Sequence, residues 1–244
     1  PDLTYAVLMP WIEGPTWMEV LGRRGDPSCS PPTPVESLAL ARSLAEILAG
    51  MEQRRLAHCD LSGPNVMLPA LIQPPTSNFQ SPIALVDVEQ LYGPGLERPE
   101  LLPSGSQGYA HRADDDGLWG PRADRFAGAV LLAEMLGWCN ERVREIAWGE
   151  NYFDPQEVQR ESERYRLLAD VIRQTWGAGA AVLFERAWRS KGLADCATFG
   201  EWLVTLPEEV PAVETGEALA PAEEAEGEQE KALENEGTIQ TLIG

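Results

Sequence analysis

The chain has 244 residues, enough for one large domain, and its formal net charge is −20. Such an acidic surface argues against nucleic acid as a partner, because binding to phosphates relies on Lys and Arg. No apolar run is long enough for a membrane span, and no signal-peptide pattern opens the chain. The cysteines lack CxxC spacing and read as free thiols in a reducing compartment, so we expect a cytoplasmic protein.

The first third of the chain predicts a short strand, a loop and a strong helix. The strand covers Thr4–Ile12 and is stopped by Glu13-Gly14-Pro15. A segment rich in Gly, Pro and Ser follows over 22–34. The helix covers Val35–Arg55, because its apolar residues recur at steps of three and four and so form one face.

The middle of the chain predicts loops around a single buried strand. Residues 56–68 form a loop between two short strand-like pieces, and Pro69–Pro82 forms a second loop. The apolar run Ile83–Val86 is the strand. Asp87–Arg122 is rich in Gly and Pro and has no periodicity. Irregular segments of that length inside a compact domain are usually functional.

The last part predicts helices and then a disordered tail. Ala123–Trp138 is apolar over most of its circumference and should be a central buried helix. Three further helices are predicted over 161–176, 180–188 and 197–205. Residues 207–244 contain eleven Glu, one Lys and no aromatic residue, so they should form a disordered acidic linker.

Two carboxylates and one amide carry the candidate chemistry. Asp60 lies two residues after His58 and five before Asn65, and Asp87 ends the predicted buried strand. Phosphoryl transfer needs a group that orients the attacking hydroxyl and oxygen ligands that hold Mg²⁺ against the phosphates. Asp and Asn supply oxygen ligands of the type that Mg²⁺ prefers.

The segment His58-Cys59-Asp60-Leu61-Ser62-Gly63-Pro64-Asn65-Val66-Met67-Leu68 resembles the catalytic loop of the eukaryotic-like (Hanks-type) protein kinases. The resemblance implies that Asp60 is the catalytic base and that Asn65 binds Mg²⁺. Asp87 matches the Asp of the family's D-F-G motif and would be the main Mg²⁺ ligand. Asp124 matches the residue that opens the family's central helix and braces the catalytic loop.

The resemblance also implies a fold and an ATP site. Residues 1–14 look like the last N-lobe strand and hinge, and 15–206 like the helical C-lobe, so the fold class is α+β. Met9 would be the gatekeeper residue of the ATP site. The backbone groups of Pro10 and Ile12 would face adenine, and the Met67 side chain would form the floor of the adenine pocket.

A narrower resemblance covers the segment after the strand. Asp87-Val88-Glu89-Gln90-Leu91-Tyr92-Gly93-Pro94 and the later Gly108-Tyr109-Ala110-His111 look like a bacterial kinase-like group. That group reads roughly D-x-[DE]-G-M-[FY]-x-P here, and its members join the kinase-like domain to other modules. We therefore expect a further module downstream of the acidic linker.

Several positions depart from the family pattern. Cys59 replaces the Arg that contacts a phosphorylated activation loop, Ser62 replaces a Lys that stabilises the transferring phosphoryl group, and Glu89 replaces the Gly of D-F-G. About nine extra residues fall in the Pro69–Pro82 loop. The A-P-E motif and the Arg that pairs with its Glu are both missing, and Ser104 and Ser106 are candidate phosphosites.

Three functions follow from the matches and departures. The first is an ATP- and Mg²⁺-dependent kinase acting on Ser/Thr hydroxyls of a protein, favoured by Asp60, Asn65 and Asp87 together. The second is a pseudokinase, a binding or scaffold module that holds nucleotide without turnover, favoured by Cys59, Ser62 and Glu89. The third is a small-molecule kinase of related fold. The Gly-rich loop, strand Lys and helix Glu of the N-lobe do not occur in this chain, so we expect an upstream N-lobe and no activity from this chain alone.

Overall fold

The structure is a computed structural model that describes residues 11–26, 28–69, 82–112 and 117–211. Within these ranges the chain is helix-rich and α+β, with one two-stranded antiparallel sheet. The helices are α1 (Trp17–Gly22), α2 (Pro34–Gln53), α3 (Arg125–Gly137), α4 (Glu141–Glu145), α5 (Glu163–Trp176), α6 (Ala178–Trp188) and α7 (Phe199–Thr205), and the strands are β1 (Val66–Met67) and β2 (Ala84–Leu85). None of these helices combines the length and apolar character that crossing a bilayer requires.

The five predicted helices are confirmed, and each observed end lies within two residues of the predicted one. The predicted strand over 83–86 is also present, but only Ala84 and Leu85 pair, because the partner strand is two residues long. Most of the predicted strand over 4–12, nearly all of the 69–82 loop and the tail from 212 onward lie outside the described residues.

Helices α1 and α4 were not predicted, because six and five residues are too few to show a helical period. Each nevertheless begins at a polar cap that the sequence contains. The Thr16 hydroxyl accepts the backbone N–H of Glu19, whose carboxylate accepts the Thr16 N–H in return. The Asn140 side chain accepts the N–H groups of Arg142 and Val143 at the start of α4.

Helix α3 is the centre of the core, as its apolar composition predicted. Every residue from Phe126 to Gly137 is buried, including the acidic residue Glu134. Two glycines allow neighbouring helices to approach its backbone closely. A Cβ at Gly128 would lie 2.5 Å from the ring of Phe199 in α7, and one at Gly137 would lie 2.3 Å from Leu168 in α5. Larger side chains at either glycine would push these helices away from α3.

An aromatic cluster joins α3 to the C-terminal helices. The Tyr165 and Trp188 rings stack with their centroids 5.2 Å apart, and Phe153 lies 4.4 Å from Trp188. Phe126 also stacks on Trp188, with the ring centroids 6.3 Å apart. Aromatic rings bury large areas in favoured mutual orientations, so this cluster fixes α5 and α6 against the first turn of α3.

The long segment that follows β2 is irregular, as predicted, but it is anchored to the helical core at several points. A backbone bridge joins Ala57 and Tyr92, with N–H to O distances of 3.1 and 2.7 Å. Further along, the His111 imidazole is within 2.9 Å of the Ser190 hydroxyl, and its ring meets Phe126 edge to face. A side-chain hydrogen bond and a ring contact thus hold this end of the segment against the helices.

Glu134 links three parts of the structure from inside the core. Its carboxylate accepts the indole N–H of Trp17 at 2.8 Å and the hydroxyl of Tyr109 at 3.0 Å. The backbone N–H of Tyr152 is a third donor. Burial raises the pKa of Glu134 to about 7, and the three donors oppose that rise. The irregular segment is therefore bound to α1 and α3 through a carboxyl group that titrates near neutrality.

Replacing Glu134 with Gln should change how stability depends on pH. The pKa of Glu134 is about 7 in the folded protein and its ordinary value is 4.5. Such a group favours the folded state at low pH, and this contribution to stability is lost as the pH rises from 4.5 to 7. The contribution amounts to roughly 3 kcal/mol at about 1.4 kcal/mol per pKa unit. Urea unfolding from pH 4 to 8 should therefore show a weaker fall in stability with pH for Glu134→Gln than for the wild type.

The matched control is Glu150→Gln, at an exposed position. Parallel pH curves for the wild type and Glu134→Gln would contradict this prediction.

Candidate functional site

The 58–65 loop is fastened to helix α3 by the carboxylate of Asp124. One oxygen of Asp124 accepts the backbone N–H of His58 at 2.6 Å, and the other accepts that of Cys59 at 2.9 Å. Asp124 sits at the N-cap of α3 without capping that helix through its side chain, and it is only 5 % exposed. The first residue of the central helix thus positions the loop that carries Asp60.

Burial shapes the protonation of both partners in this contact. Burial raises the pKa of Asp124, and the two backbone N–H bonds act in the opposite direction. Burial, together with the nearby Asp124 carboxylate, raises the pKa of the Cys59 thiol to about 11. Cys59 is therefore protonated at neutral pH, which argues against a role as a thiolate nucleophile.

His58 and Asn65 bring the loop next to Asp87. The His58 ring is fully buried, and its Nε2 lies 2.8 Å from the carbonyl oxygen of Val86. The Val86 N–H donates to the backbone oxygen of Asn65 at 3.0 Å, which continues the pairing of β1 with β2. Asn65 and Asp87 therefore flank one end of the two-stranded sheet. His58 therefore has a structural role in this arrangement.

Two residues of the site have left-handed backbone conformations. Asp87 has φ +59° and ψ +54°, and Cys59, directly before Asp60, has φ +68°. Such a conformation costs about 1 kcal/mol or more for a residue with a Cβ, although Asp tolerates it better than most. Strained backbone of this kind clusters at functional sites, which supports a role for the exposed Asp87 carboxylate.

Asp60 makes two contacts that define its surroundings. Its backbone oxygen accepts the side-chain N–H of Asn65 at 2.8 Å, and its Oδ1 accepts the hydroxyl of Ser106 at 2.8 Å. No sequence pattern pairs Asp60 with Ser106, because 46 residues separate them and most of that distance is irregular chain. The structure thus adds Ser106 to the predicted site.

The residues at the two positions where the resembled kinases have basic side chains are buried. Ser62 is fully buried, and its hydroxyl is without a hydrogen-bond partner among the described residues. Cys59 is 1 % exposed, with its thiol near the Ala57 carbonyl. Neither position offers a charge to a phosphate group.

The donor atoms at this site fit a magnesium ion. Asp87 presents an exposed carboxylate, and Asn65 uses its amide nitrogen to bond Asp60, which leaves the amide oxygen as its ligand atom. Both are oxygen donors of the kind that Mg²⁺ selects. The described part of the chain contains no cluster of three or more His, Cys, Asp or Glu residues suited to a metal. Magnesium here would complete its coordination with phosphate and water, as it commonly does.

The residues predicted to contact adenine are only partly described. Met9 and Pro10 lie outside the described residues. Ile12 is half-buried at the start of the described chain. Met67 is half-buried in β1, where it pairs with Ala84 on one side and forms an isolated bridge with Thr16 on the other. Met67 therefore lies on the strand that leads out of the 58–65 loop.

The fold also contains a cavity of about 790 Å³ that the predicted site residues do not line. It lies between α1, the segment 23–33, the start of α2 and helix α4. Its charged lining consists of Arg23, Arg24, Asp26, Glu36, Glu141, Arg144 and Glu145, so both signs are mixed. Because this lining mixes charges of both signs, the chemistry favours the site around Asp60 over this cavity.

Comparison with known proteins adds no family to these observations. No protein-family model matches the sequence, and neither does any curated protein.

Replacing Asp124 with Asn should destabilise the protein and loosen the 58–65 loop. The Asn side chain has one oxygen, so one of the two buried N–H groups of His58 and Cys59 would face an amide donor. An unsatisfied buried polar group costs about 1–3 kcal/mol. Urea unfolding should show a loss of that size, and amide hydrogen exchange should speed up at His58 and Cys59.

A matched control separates this effect from loss of a negative charge. Asp170 lies on α5 with a side chain that is 61 % exposed, and its ion pair with Arg173 is on the surface. Asp170→Asn should change stability by no more than about 0.5 kcal/mol. If Asp124→Asn behaves like Asp170→Asn, the anchoring role assigned to Asp124 is wrong.

Proposed function

We propose that this chain carries an ATP- and Mg²⁺-dependent phosphotransferase site of the protein-kinase type, which phosphorylates Ser or Thr hydroxyls of a protein. The observation that carries the proposal is the contact of Asp124 with the backbone of His58 and Cys59. This contact anchors the loop that carries Asp60 and Asn65, and the backbone of Asn65 bonds to Val86, the residue before Asp87. The resemblance drawn from the sequence gives the same three residues the roles of base and metal ligands.

Asp60 is the group that would receive the proton of the acceptor hydroxyl. A general base must lie within hydrogen-bond reach of the proton that it accepts. The hydroxyl of Ser106 donates to Asp60 Oδ1 at 2.8 Å, which shows that this oxygen can accept a hydrogen bond from an alcohol. The bond from Asn65 to the backbone of Asp60 limits rotation of the loop and supports a fixed direction for the carboxylate.

Asn65 and Asp87 would hold the magnesium ion. When bound, that ion would neutralise charge on the phosphate groups. The strained backbone at Asp87 and the sheet pairing beside Asn65 hold the two side chains at fixed points without the metal. Met9, Pro10, Ile12 and Met67 remain the proposed contacts of adenine.

A nucleotide-binding module without turnover is the second candidate. The observation that favours it is the burial of Ser62 and Cys59, which leaves both positions without a cation for the transferring phosphoryl group. Such electrostatic groups supply several kcal/mol of transition-state stabilisation. The two candidates agree on nucleotide binding and differ in whether phosphate is transferred.

Turnover by the full-length protein separates the two candidates. With Mg²⁺ and γ-labelled ATP, the wild type should transfer phosphate to Ser/Thr peptides of an arrayed library. Asp60→Asn should reduce that transfer by ~100-fold or more, because it removes a general base. Asp87→Asn should raise the Mg²⁺ concentration needed for half-maximal rate, because it removes a metal ligand.

Glu89→Gln is the matched control for Asp87→Asn. Glu89 lies two residues further along the same exposed stretch, so its substitution alters charge nearby without touching the proposed ligands. It should leave the Mg²⁺ dependence unchanged. If the wild type binds ATP but transfers no phosphate, with Asp60→Asn and Asp87→Asn equally inert, the non-catalytic module is the correct function.

A further inference from the structure

The residues around the cavity of about 790 Å³ beside α1 fall into a buried apolar set and a charged set. Pro15, Leu40, Leu68 and Trp138 are buried, and Val20 of α1 is half-buried. The volume lies within the range of roughly 300–1,000 Å³ that holds small ligands in proteins. Burial of apolar surface is favourable in water, so the buried part of the lining favours a ligand with an apolar body.

Two acids of the lining already use their carboxylates in local turns. Asp26 accepts the backbone N–H of Ser28 at 2.9 Å and its hydroxyl at 2.6 Å. Glu36 accepts the N–H and the hydroxyl of Thr33, both at 2.8 Å, in the capping box of α2. Part of the hydrogen-bonding capacity of both acids is therefore taken up by their own segment.

Arg144 on α4 is the least exposed charged residue of the lining. It is half-buried, whereas the other six charged residues are exposed. Its Nη1 donates to the carbonyl oxygen of Trp138 at 2.7 Å. Among the described residues no carboxylate pairs with Arg144, so its Nε and Nη2 donors remain for a ligand. Two adjacent guanidinium donors suit a carboxylate, which accepts two parallel hydrogen bonds.

Two further acids restrict which anion this guanidinium could hold. Glu141 and Glu145 lie on the same helix, line the cavity and are exposed. Water and salt weaken the repulsion between each of them and a single ligand charge, but the repulsion grows with every further negative charge. The lining therefore favours one carboxylate over a phosphate or a dicarboxylate.

We propose that this cavity binds a monocarboxylate with an apolar chain, of the kind found in medium-chain fatty acids. The carboxylate would pair with Arg144, and the chain would pack on the buried apolar lining. None of Asp60, Asn65 and Asp87 lines the cavity, so this site is separate from the proposed phosphotransfer site. Binding here does not require phosphate transfer.

Calorimetric titration of the full-length protein with hexanoate, octanoate and decanoate tests the ligand class. We expect one molecule bound per chain, with an affinity that rises by up to about fourfold for each added methylene. Decanol lacks the charge, and sebacate is a dicarboxylate of the same length. Each should bind at least tenfold more weakly than decanoate, and a non-hydrolysable ATP analogue should not displace decanoate.

Variants of α4 and α1 locate the site. Arg144→Gln should weaken decanoate binding at least tenfold, because it removes the guanidinium and keeps an amide donor for the Trp138 carbonyl. Arg142→Gln is the matched control, since Arg142 is exposed on the same helix and does not line the cavity. It should change the affinity no more than twofold. Val20→Phe places a larger side chain in the cavity and should also weaken binding at least tenfold.

The Cys29 thiol gives a second readout, because it lines the cavity and is half-buried. Saturating decanoate should slow alkylation of Cys29 by iodoacetamide at least threefold, as followed by mass spectrometry of the Cys29 peptide. The same protection should appear in Arg142→Gln and be absent from Arg144→Gln at the same decanoate concentration.

The proposal is wrong if decanoate does not bind saturably, binds folded Arg144→Gln as tightly as the wild type, or is displaced by the ATP analogue. Should Arg144→Gln fail to fold, equal affinities of the wild type and Val20→Phe, or an unprotected Cys29, overturn it equally. Decanoate binding that depends on Arg144, in a protein that transfers no phosphate from ATP, would support this site and contradict only the proposed kinase function.

Discussion

The contact between the Asp124 carboxylate and the backbone of the 58–65 loop is the interaction on which the rest of the site depends. A carboxylate that is 5 % exposed is unfavourable unless donors surround it, and the N–H groups of His58 and Cys59 supply two bonds. The two donors come from adjacent residues, so the contact fixes the direction of the chain as well as its position. Asp60 follows immediately, and its orientation is a consequence of that constraint.

Helix α3 carries a second buried carboxylate that acts in the same manner on the other side of the site. Asp124 at its start holds the 58–65 loop, and Glu134 near its end holds Tyr109 and Trp17. The two segments then meet where the Ser106 hydroxyl reaches Asp60. An otherwise apolar helix thus organises two irregular segments through one acid near each end. This arrangement explains why long loops keep defined positions in a domain with so little sheet.

The sequence predicted the helices well and the contacts between distant residues poorly, for a physical reason. Periodicity reports which face of a helix is apolar, so α2 and α3 could be located to within two residues. The bond between Trp17 and Glu134 joins residues 117 positions apart, and no local pattern marks either as a partner. A lone Glu in an apolar helix gives no sign of which donors it will meet. The same limit hid the contact of Ser106 with Asp60, whereas the motif around Asp60 and Asn65 was local enough to recognise.

The backbone strain at the site bears on whether this arrangement serves a function. Asp87 and Cys59 both adopt left-handed conformations, which persist only when the surrounding contacts impose them. Glycine at either position would relieve the strain, yet the chain has Asp at one and a buried Cys at the other. At Asp87 the exposed carboxylate contributes nothing to the core, so packing does not account for it. The proposed magnesium site would give this exposed carboxylate a role that packing does not.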